Sequence, residues 1–191
     1  WSLRHTIRVH DPINRVRISP DGRLVAGCKM NGKVSINTVL DGKYVTNLWA
    51  SNTVEDNGEL AQVFSINDIC FSADSKYLAA AADNAVVRIY NLDHEFITQK
   101  IQNLHNGVNS VCFSPDDKHI ISGSSTVQIH AVVNRNKNTR VREFDADIAD
   151  MCFNHTNTLI ASILLNEDNE GNDFNTVHIS RLHDGIETLE I

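Results

Sequence analysis

The chain lacks any apolar run approaching the ~20 residues that a bilayer-spanning helix needs. Its first residues also lack the charged-then-apolar pattern of a signal peptide. Neither a membrane contact nor a secretory leader is expected, and the reading is of an intracellular chain, in cytoplasm or nucleus. It has no surplus of basic charge either: 17 Lys and Arg stand against 24 Asp and Glu, a formal net charge of −7. Nucleic acid is bound chiefly by clustered cations that replace its counterions, so direct contact with it is not expected. There is no Cys-x-x-Cys, no glycine-rich phosphate loop and no G-x-S-x-G elbow, and none of the nine histidines pairs with Cys or His at zinc-ligand spacing. No catalytic residue, metal or cofactor is assigned. A long stretch of 3.6-residue apolar periodicity is missing, which argues against a helical domain. No linker divides the 191 residues.

What is present is a repeat. Ile69-Cys70-Phe71-Ser72, Val111-Cys112-Phe113-Ser114 and Met151-Cys152-Phe153-Asn154 carry one phrase, with their phenylalanines 42 and 40 residues apart. A weaker copy, Val16-Arg17-Ile18-Ser19, lies upstream. A period near 40 with strand signals alone points to propeller blades. The apolar fraction of 41% is ordinary for a folded domain.

Each repeat reads as four short strands, a to d. Strand a runs 13–19, 66–72, 108–114 and 148–154, as mixed apolar runs that suit a sheet covered on both faces. Turns follow at Pro20-Asp21-Gly22, Ala73-Asp74-Ser75, Pro115-Asp116-Asp117 and His155-Thr156-Asn157, where Pro presets φ and Asp, Asn or Gly tolerates the next corner. Strand b spans 24–28, 77–82, 119–124 and 159–164, rich in small residues that let blades approach closely. Strand c spans 34–37, 86–90, 127–130 and 177–180, and strand d 44–48, 96–101, 140–144 and 187–191. An extra outer strand is expected over Thr6 to Val9. Repeat three is short, with only Ser124-Ser125 between strands b and c, and reads as divergent or as missing residues. Cys70, Cys112 and Cys152 recur at one strand position, each facing the next blade's opposite face, so they and Cys28 are expected as small buried hydrophobes without disulfides.

The phrases Val108-Asn109-Ser110-Val111-Cys112-Phe113-Ser114-Pro115-Asp116-Asp117 and Val87-Arg88-Ile89-Tyr90-Asn91-Leu92 resemble the WD40 repeat family, over nearly the whole chain. The resemblance implies an all-β propeller of four-stranded antiparallel blades, a platform for binding other proteins. The family's Trp-Asp pair is absent; its places hold Asn37-Thr38, Tyr90-Asn91, His130-Ala131 and Ser180-Arg181. The residues that join that tryptophan in a hydrogen-bonded set survive singly here, as Asn31 or Asn84, Ser122 or Ser124, and His105. The repeats are expected at about 11–50, 64–103, 105–145 and 146–191, with residues 1–10 the end of a preceding blade. The first residue is Trp1 and not Met, and the chain is expected to be a segment of a larger propeller of about seven blades. A closed four-bladed ring is the alternative.

Strand alternation puts the b–c and d–a connections on one face of the disc. The two longest, Ser51 to Phe64 and Leu165 to Asn175, therefore project together. They carry Glu55, Asp56, Glu59, Glu167, Asp168, Glu170 and Asp173, a candidate surface for proteins with basic patches; solvated insertions without a partner are the competing reading. A calcium loop over 166–173 fails the EF-hand order. Arg135, Lys137, Arg140 and Arg142 make the one basic patch, on the opposite side or outer rim, read as solvated surface. Asn154-His155-Thr156 fits a glycosylation tripeptide but sits in a tight turn. The expected function is a non-enzymatic protein-binding scaffold, a subunit of a larger intracellular complex. The alternatives are an enzymatic propeller with polar residues Arg15, Asp68, Ser110 and Asp150 at the central channel, or an RNA-associated assembly factor.

Overall fold

A computed structural model describes residues 5–49, 63–93, 96–101, 107–132, 138–143, 147–167, 173–181 and 187–189. Among these residues sixteen strands form four antiparallel sheets of four, each a meander in chain order. Sheet 1 holds β1 (Ile13–Ile18), β2 (Leu24–Lys29), β3 (Lys33–Thr38) and β4 (Tyr44–Trp49), and sheet 2 holds β5 (Ile66–Phe71), β6 (Tyr77–Ala82), β7 (Val86–Asn91) and β8 (Phe96–Ile101). Sheet 3 holds β9 (Ser110–Phe113), β10 (His119–Gly123), β11 (Thr126–Ala131) and β12 (Asn138–Glu143). Sheet 4 holds β13 (Asp147–Phe153), β14 (Leu159–Glu167), β15 (Asp173–Arg181) and β16 (Glu187–Leu189). Among the described residues no helix is long and apolar enough to cross a membrane.

The sheets stack face on face, with the first strand of each beside the first strand of the next, giving a propeller-like arrangement. Three apolar clusters fill the junctions. Ala26, Val34 and Ile36 of sheet 1 pack on Ile66, Ile69 and Leu78 of sheet 2. Ala79, Val87 and Ile89 of sheet 2 meet Val108, Val111 and Ile120 of sheet 3, and Ile121 and Val127 of sheet 3 meet Ile148, Met151 and Ile160 of sheet 4. The small residues of the second strands are what permit this approach. A Cβ added to Gly123 would stand 2.7 Å from Met151 Cε and 2.9 Å from Ile148 Cγ2.

The turn after each first strand is one structure built four times. Gly22, Ser75, Asp117 and Asn157 take φ of +73°, +62°, +57° and +60°. In the first three turns the strand-ending serine accepts from the chain five residues on and bonds the turn aspartate: Ser19 Oγ to Asp21, Ser72 Oγ to Asp74, Ser114 Oγ to Asp116, at 2.6–2.7 Å. The Ser19 hydroxyl and then the Arg23 backbone N–H hold the Asp21 pKa down to about 2. In the fourth turn Asn154 replaces the serine. Its Oδ1 accepts from Thr158 and Leu159 N–H and its Nδ2 donates to Thr156 and Thr158 hydroxyls, so the amide of the glycosylation tripeptide is engaged in its own turn.

Four sequence expectations are corrected. Residues 6–9 form no strand; His5 and Ile7 lie over Gly42, in the turn before β4. The Leu165 to Asn175 excursion is mostly ladder, because β14 and β15 run nine residues each and pair as far as Glu167↔Asp173. Repeat three needs no missing residues: Gly123↔Val127 is its last pair, and the Ser124 N–H donates to the Thr126 carbonyl across a two-residue turn. Cys70 and Cys112 are half-buried and Cys152 is exposed, because among the described residues no sheet covers that face of sheet 4. Cys28 is buried, which pushes its thiol pKa up to about 11, and all four cysteines are free.

Candidate functional site

The four first strands bring Arg15, Asp68, Ser110 and Asp150 to equivalent positions. In sheets 1, 2 and 4 the register with the second strand shifts immediately before this residue, at Ile13/Arg15, Ile66/Asp68 and Ile148/Asp150. Such bulges re-aim a side chain, and two of the bulged residues also reach the next sheet. Asn14 Nδ2 donates to the Ile66 carbonyl at 2.8 Å, and Asn67 Nδ2 to the Val108 carbonyl at 3.1 Å.

The re-aimed side chains form a polar relay from sheet to sheet. Asp68, buried, accepts from Arg17 Nη2 at 3.2 Å, from the Val111 N–H at 3.1 Å and from Ser110 Oγ at 3.3 Å, with Arg15 Nε at 3.9 Å. Burial raises the Asp68 pKa against the opposing pull of the Val111 N–H and the Arg17 charge. Ser110 Oγ then stands 3.2 Å from Asp150 Oδ1 and accepts from the Met151 N–H at 3.1 Å. Both carboxylate oxygens of Asp68 are thus bonded to neighbouring sheets. Two residues along, the Phe113 N–H meets Cys70 Sγ at 3.5 Å.

A second set of links joins the turns. The Ala73 and Asp74 N–H groups donate to the Asp117 carboxylate at 2.6 and 2.8 Å, and the Asp21 N–H donates to Ser75 Oγ at 3.1 Å. Ser75 and Asp117, the left-handed residues of the turns after the first strands of sheets 2 and 3, therefore clasp the turn of the preceding sheet. At the positions of the missing Trp-Asp pair, His130 Nε2 stands 3.2 Å from Ser122 Oγ, and the buried Tyr90 donates its hydroxyl to the Trp49 carbonyl of sheet 1. His105 lies outside the described residues. None of these cross-sheet links was found by sequence reasoning; the recurrence of Ser75 and Asp117 at one turn position was the available signal.

Of the acidic candidates, Glu167 and Asp173 are described. They face one another across the last pair of the β14–β15 hairpin, both exposed, above an Asn166 Nδ2 to Thr176 Oγ1 bond of 2.9 Å. Glu55, Asp56, Glu59, Asp168 and Glu170 lie outside the described residues, as do Arg135 and Lys137. Arg140 and Arg142 lie on the outer strand β12, paired with Gln128 and Val127. Among the described residues no three His, Cys, Asp or Glu side chains gather to hold a metal ion.

No match was found among the curated proteins compared with this chain. A family model, WD domain, G-beta repeat, matches residues 1–36, 58–91 and 98–128, more than half of the chain. The three matches end in β3, β7 and β11, the third strand of each of the first three sheets, so the sequence repeat and the structural sheet keep one register. Repeats of this kind generally mediate scaffolding between proteins and are typically without enzymatic activity. On these matched segments and the four-stranded sheets that they form, the chain belongs to the WD40-repeat family.

Proposed function

We propose that this chain is a non-enzymatic scaffold within a larger intracellular assembly, and that it docks proteins bearing basic patches through the acidic connections on one face of a propeller. The repeats at about 11–50, 64–103, 105–145 and 146–191 are its blades, residues 1–10 end a preceding blade, and the working ring holds more than four blades. The observation that carries the reading is the β14–β15 hairpin. Its strands outrun the others among the described residues, and it holds Glu167 and Asp173 side by side at its last described pair. A projection anchored by a ladder presents its charges at lower entropic cost than a floppy insertion. Glu55, Asp56, Glu59, Asp168 and Glu170 add to the same negative field, which steers basic partners and sets specificity.

The test is affinity capture from the native source with the wild type and with Glu55, Asp56, Glu167 and Asp173 changed together to lysine. Circular dichroism of both proteins serves as the folding control. Loss of a stable partner from the variant supports the reading. An unchanged set of partners overturns it and sends the search to the opposite face or the rim.

A further inference from the structure

Three first strands carry a cysteine at one position, and the junction of sheets 2 and 3 makes a pair of two of them. Strands β5 and β9 are tied there at two successive levels. Asp68 takes the Ser110 hydroxyl at 3.3 Å and the Val111 N–H at 3.1 Å, and two residues on the Phe113 N–H meets Cys70 Sγ at 3.5 Å. That N–H follows Cys112 directly in the chain, so Cys70 Sγ lies against the backbone beside Cys112. Across this gap the two thiols hydrogen-bond to one another. Both sit in covered junctions: Cys70 packs on the apolar cluster between sheets 2 and 3, and Cys112 on the one between sheets 3 and 4. Their meeting is set by neighbours on both sides and not by an open end of the stack.

Their surroundings give the two thiols different parts. The Cys70 S–H lowers the Cys112 pKa, helped by the Phe153 N–H, while burial and the Asp68 and Asp150 charges oppose the shift. The same contact, together with burial, raises the Cys70 pKa well above the ordinary thiol value. The thiolate is the form that attacks an oxidant, so reactivity follows a lowered pKa and access. Cys112 is half-buried and open to a small oxidant, whereas Cys28 is buried with its pKa pushed up to about 11. Cys152 is exposed, but partial desolvation and the nearby Cys112 raise its pKa.

We propose that Cys70 and Cys112 form a peroxide-oxidisable dithiol, a redox modification site at which a disulfide joins sheet 2 to sheet 3. The Cys112 thiolate attacks one oxygen of hydrogen peroxide and the O–O bond breaks. The departing hydroxide takes up the proton that Cys112 lost, and Cys112 becomes a sulfenic acid. Cys70 Sγ then gives up its proton, attacks the Cys112 sulfur and expels a second hydroxide, which leaves as water with that proton. Two thiols are oxidised to one disulfide while one peroxide is reduced to two waters. The second step asks Cys112 Sγ to turn toward Cys70 from the Phe113 carbonyl, to which its S–H now donates at 3.3 Å. In a reducing compartment such a bond is transient, and it reports an oxidising episode by locking one junction of the stack.

The test treats the reduced full chain with hydrogen peroxide at two protein concentrations and maps the linked peptides by mass spectrometry. The expected product has a Cys70–Cys112 peptide pair, in a yield independent of protein concentration, and dithiothreitol restores both thiols. Cys70→Ser is expected to stop at the Cys112 sulfenic acid, trapped as a dimedone adduct that the wild type does not accumulate there. Cys112→Ser is expected to form no disulfide, and Cys152→Ser to form the same one as the wild type. Circular dichroism checks the folding of each variant, and Cys70→Ala and Cys112→Ala replace any serine variant that fails to fold. Three results overturn the proposal: a link from Cys112 to Cys152 in place of Cys70, links between chains alone, or Cys70 and Cys112 still reduced when Cys152 has been oxidised.

Discussion

The hydroxyl of Tyr90, on the third strand of sheet 2, donates to the backbone carbonyl of Trp49, the last residue of the outer strand of sheet 1. The ring is buried, and burial raises its phenol pKa, which keeps the hydroxyl a donor at neutral pH. Tyr90 stands where regular members of the family carry tryptophan, and its bond ties two sheets rather than two strands of one. Tyr90→Phe keeps the ring and strands the Trp49 carbonyl. The expected cost is about 1–2 kcal/mol in urea unfolding with an unchanged m-value. An unchanged midpoint would show that the carbonyl finds water and that the bond contributes nothing net.

The Asp117 clasp predicts a graded series. Asp117 sits at φ +57° and accepts both the Ala73 and Asp74 N–H groups. Asparagine tolerates the left-handed backbone and keeps one acceptor, so Asp117→Asn should cost less than about 1 kcal/mol. Asp117→Gly relieves the backbone but removes the clasp, and should cost about 1–2 kcal/mol. The direct readout is amide hydrogen exchange. Exchange at Ala73 and Asp74 accelerates in the glycine variant and not at Ser75, whose N–H donates to the Ser72 carbonyl within its own turn.

Much of the strand layout was legible because the period-40 phrase fixes the register. Phe71, Phe113 and Phe153 end their first strands, and the turn residues read after them include the left-handed Ser75, Asp117 and Asn157. Membership of the WD40 family was also readable from the Val108–Asp117 phrase. What was not legible depends on neighbours far apart in sequence. The Tyr90–Trp49 bond joins residues 41 apart, and the bulges at Asn14 and Asn67 show only in the register of the paired strand. The β14–β15 ladder was cut short in the reading because Asn166, Glu167 and Asp173 have poor strand propensity, which cross-strand pairing overrides. Alternation of apolar residues could not show that Val16 and Val177 face solvent, since their counterparts Val111 and Val87 are buried. Of the acidic candidates only Glu167 and Asp173 lie in described strands, and their pairing came from the ladder.

Gly123 predicts an overpacking effect at the junction of sheets 3 and 4. An added Cβ meets Met151 Cε and Sδ at 2.7 and 2.9 Å and Ile148 Cγ2 at 2.9 Å. The methionine end can swing away, but the isoleucine branch lies on a strand and cannot. Gly123→Ala should therefore destabilise by about 1–3 kcal/mol, and adding Ile148→Ala, which removes the Cγ2 branch, should cost less in that background than in the wild type. A thermodynamic cycle over the four proteins measures the difference. Strict additivity would mean that the junction shifts as a whole instead of clashing locally.

Asp68 predicts a pH dependence with a definite sign. Its folded pKa is raised above the ordinary value of 3.8, chiefly by burial, with Asp150 adding a smaller push and the Val111 and Ile69 N–H groups and Arg17 opposing both. An acid whose folded pKa exceeds its unfolded one binds its proton more tightly when folded. The folded state thus bears a penalty for the ionised Asp68 carboxylate and recovers it as pH falls through the folded value toward the unfolded one. Asp68→Asn has no charge to bury and still offers an oxygen to the Val111 N–H. The variant should be more stable than the wild type at pH 7, and its advantage should shrink as pH is lowered through the window just above 3.8. Urea unfolding of both proteins at pH 7, 5.5 and 4.5 reads the trend. A variant less stable at pH 7 that recovers toward the wild type on acidification would mean that the Arg15 and Arg17 charges outweigh burial, and that the relay through Asp68 is an ion pair that strengthens the stack.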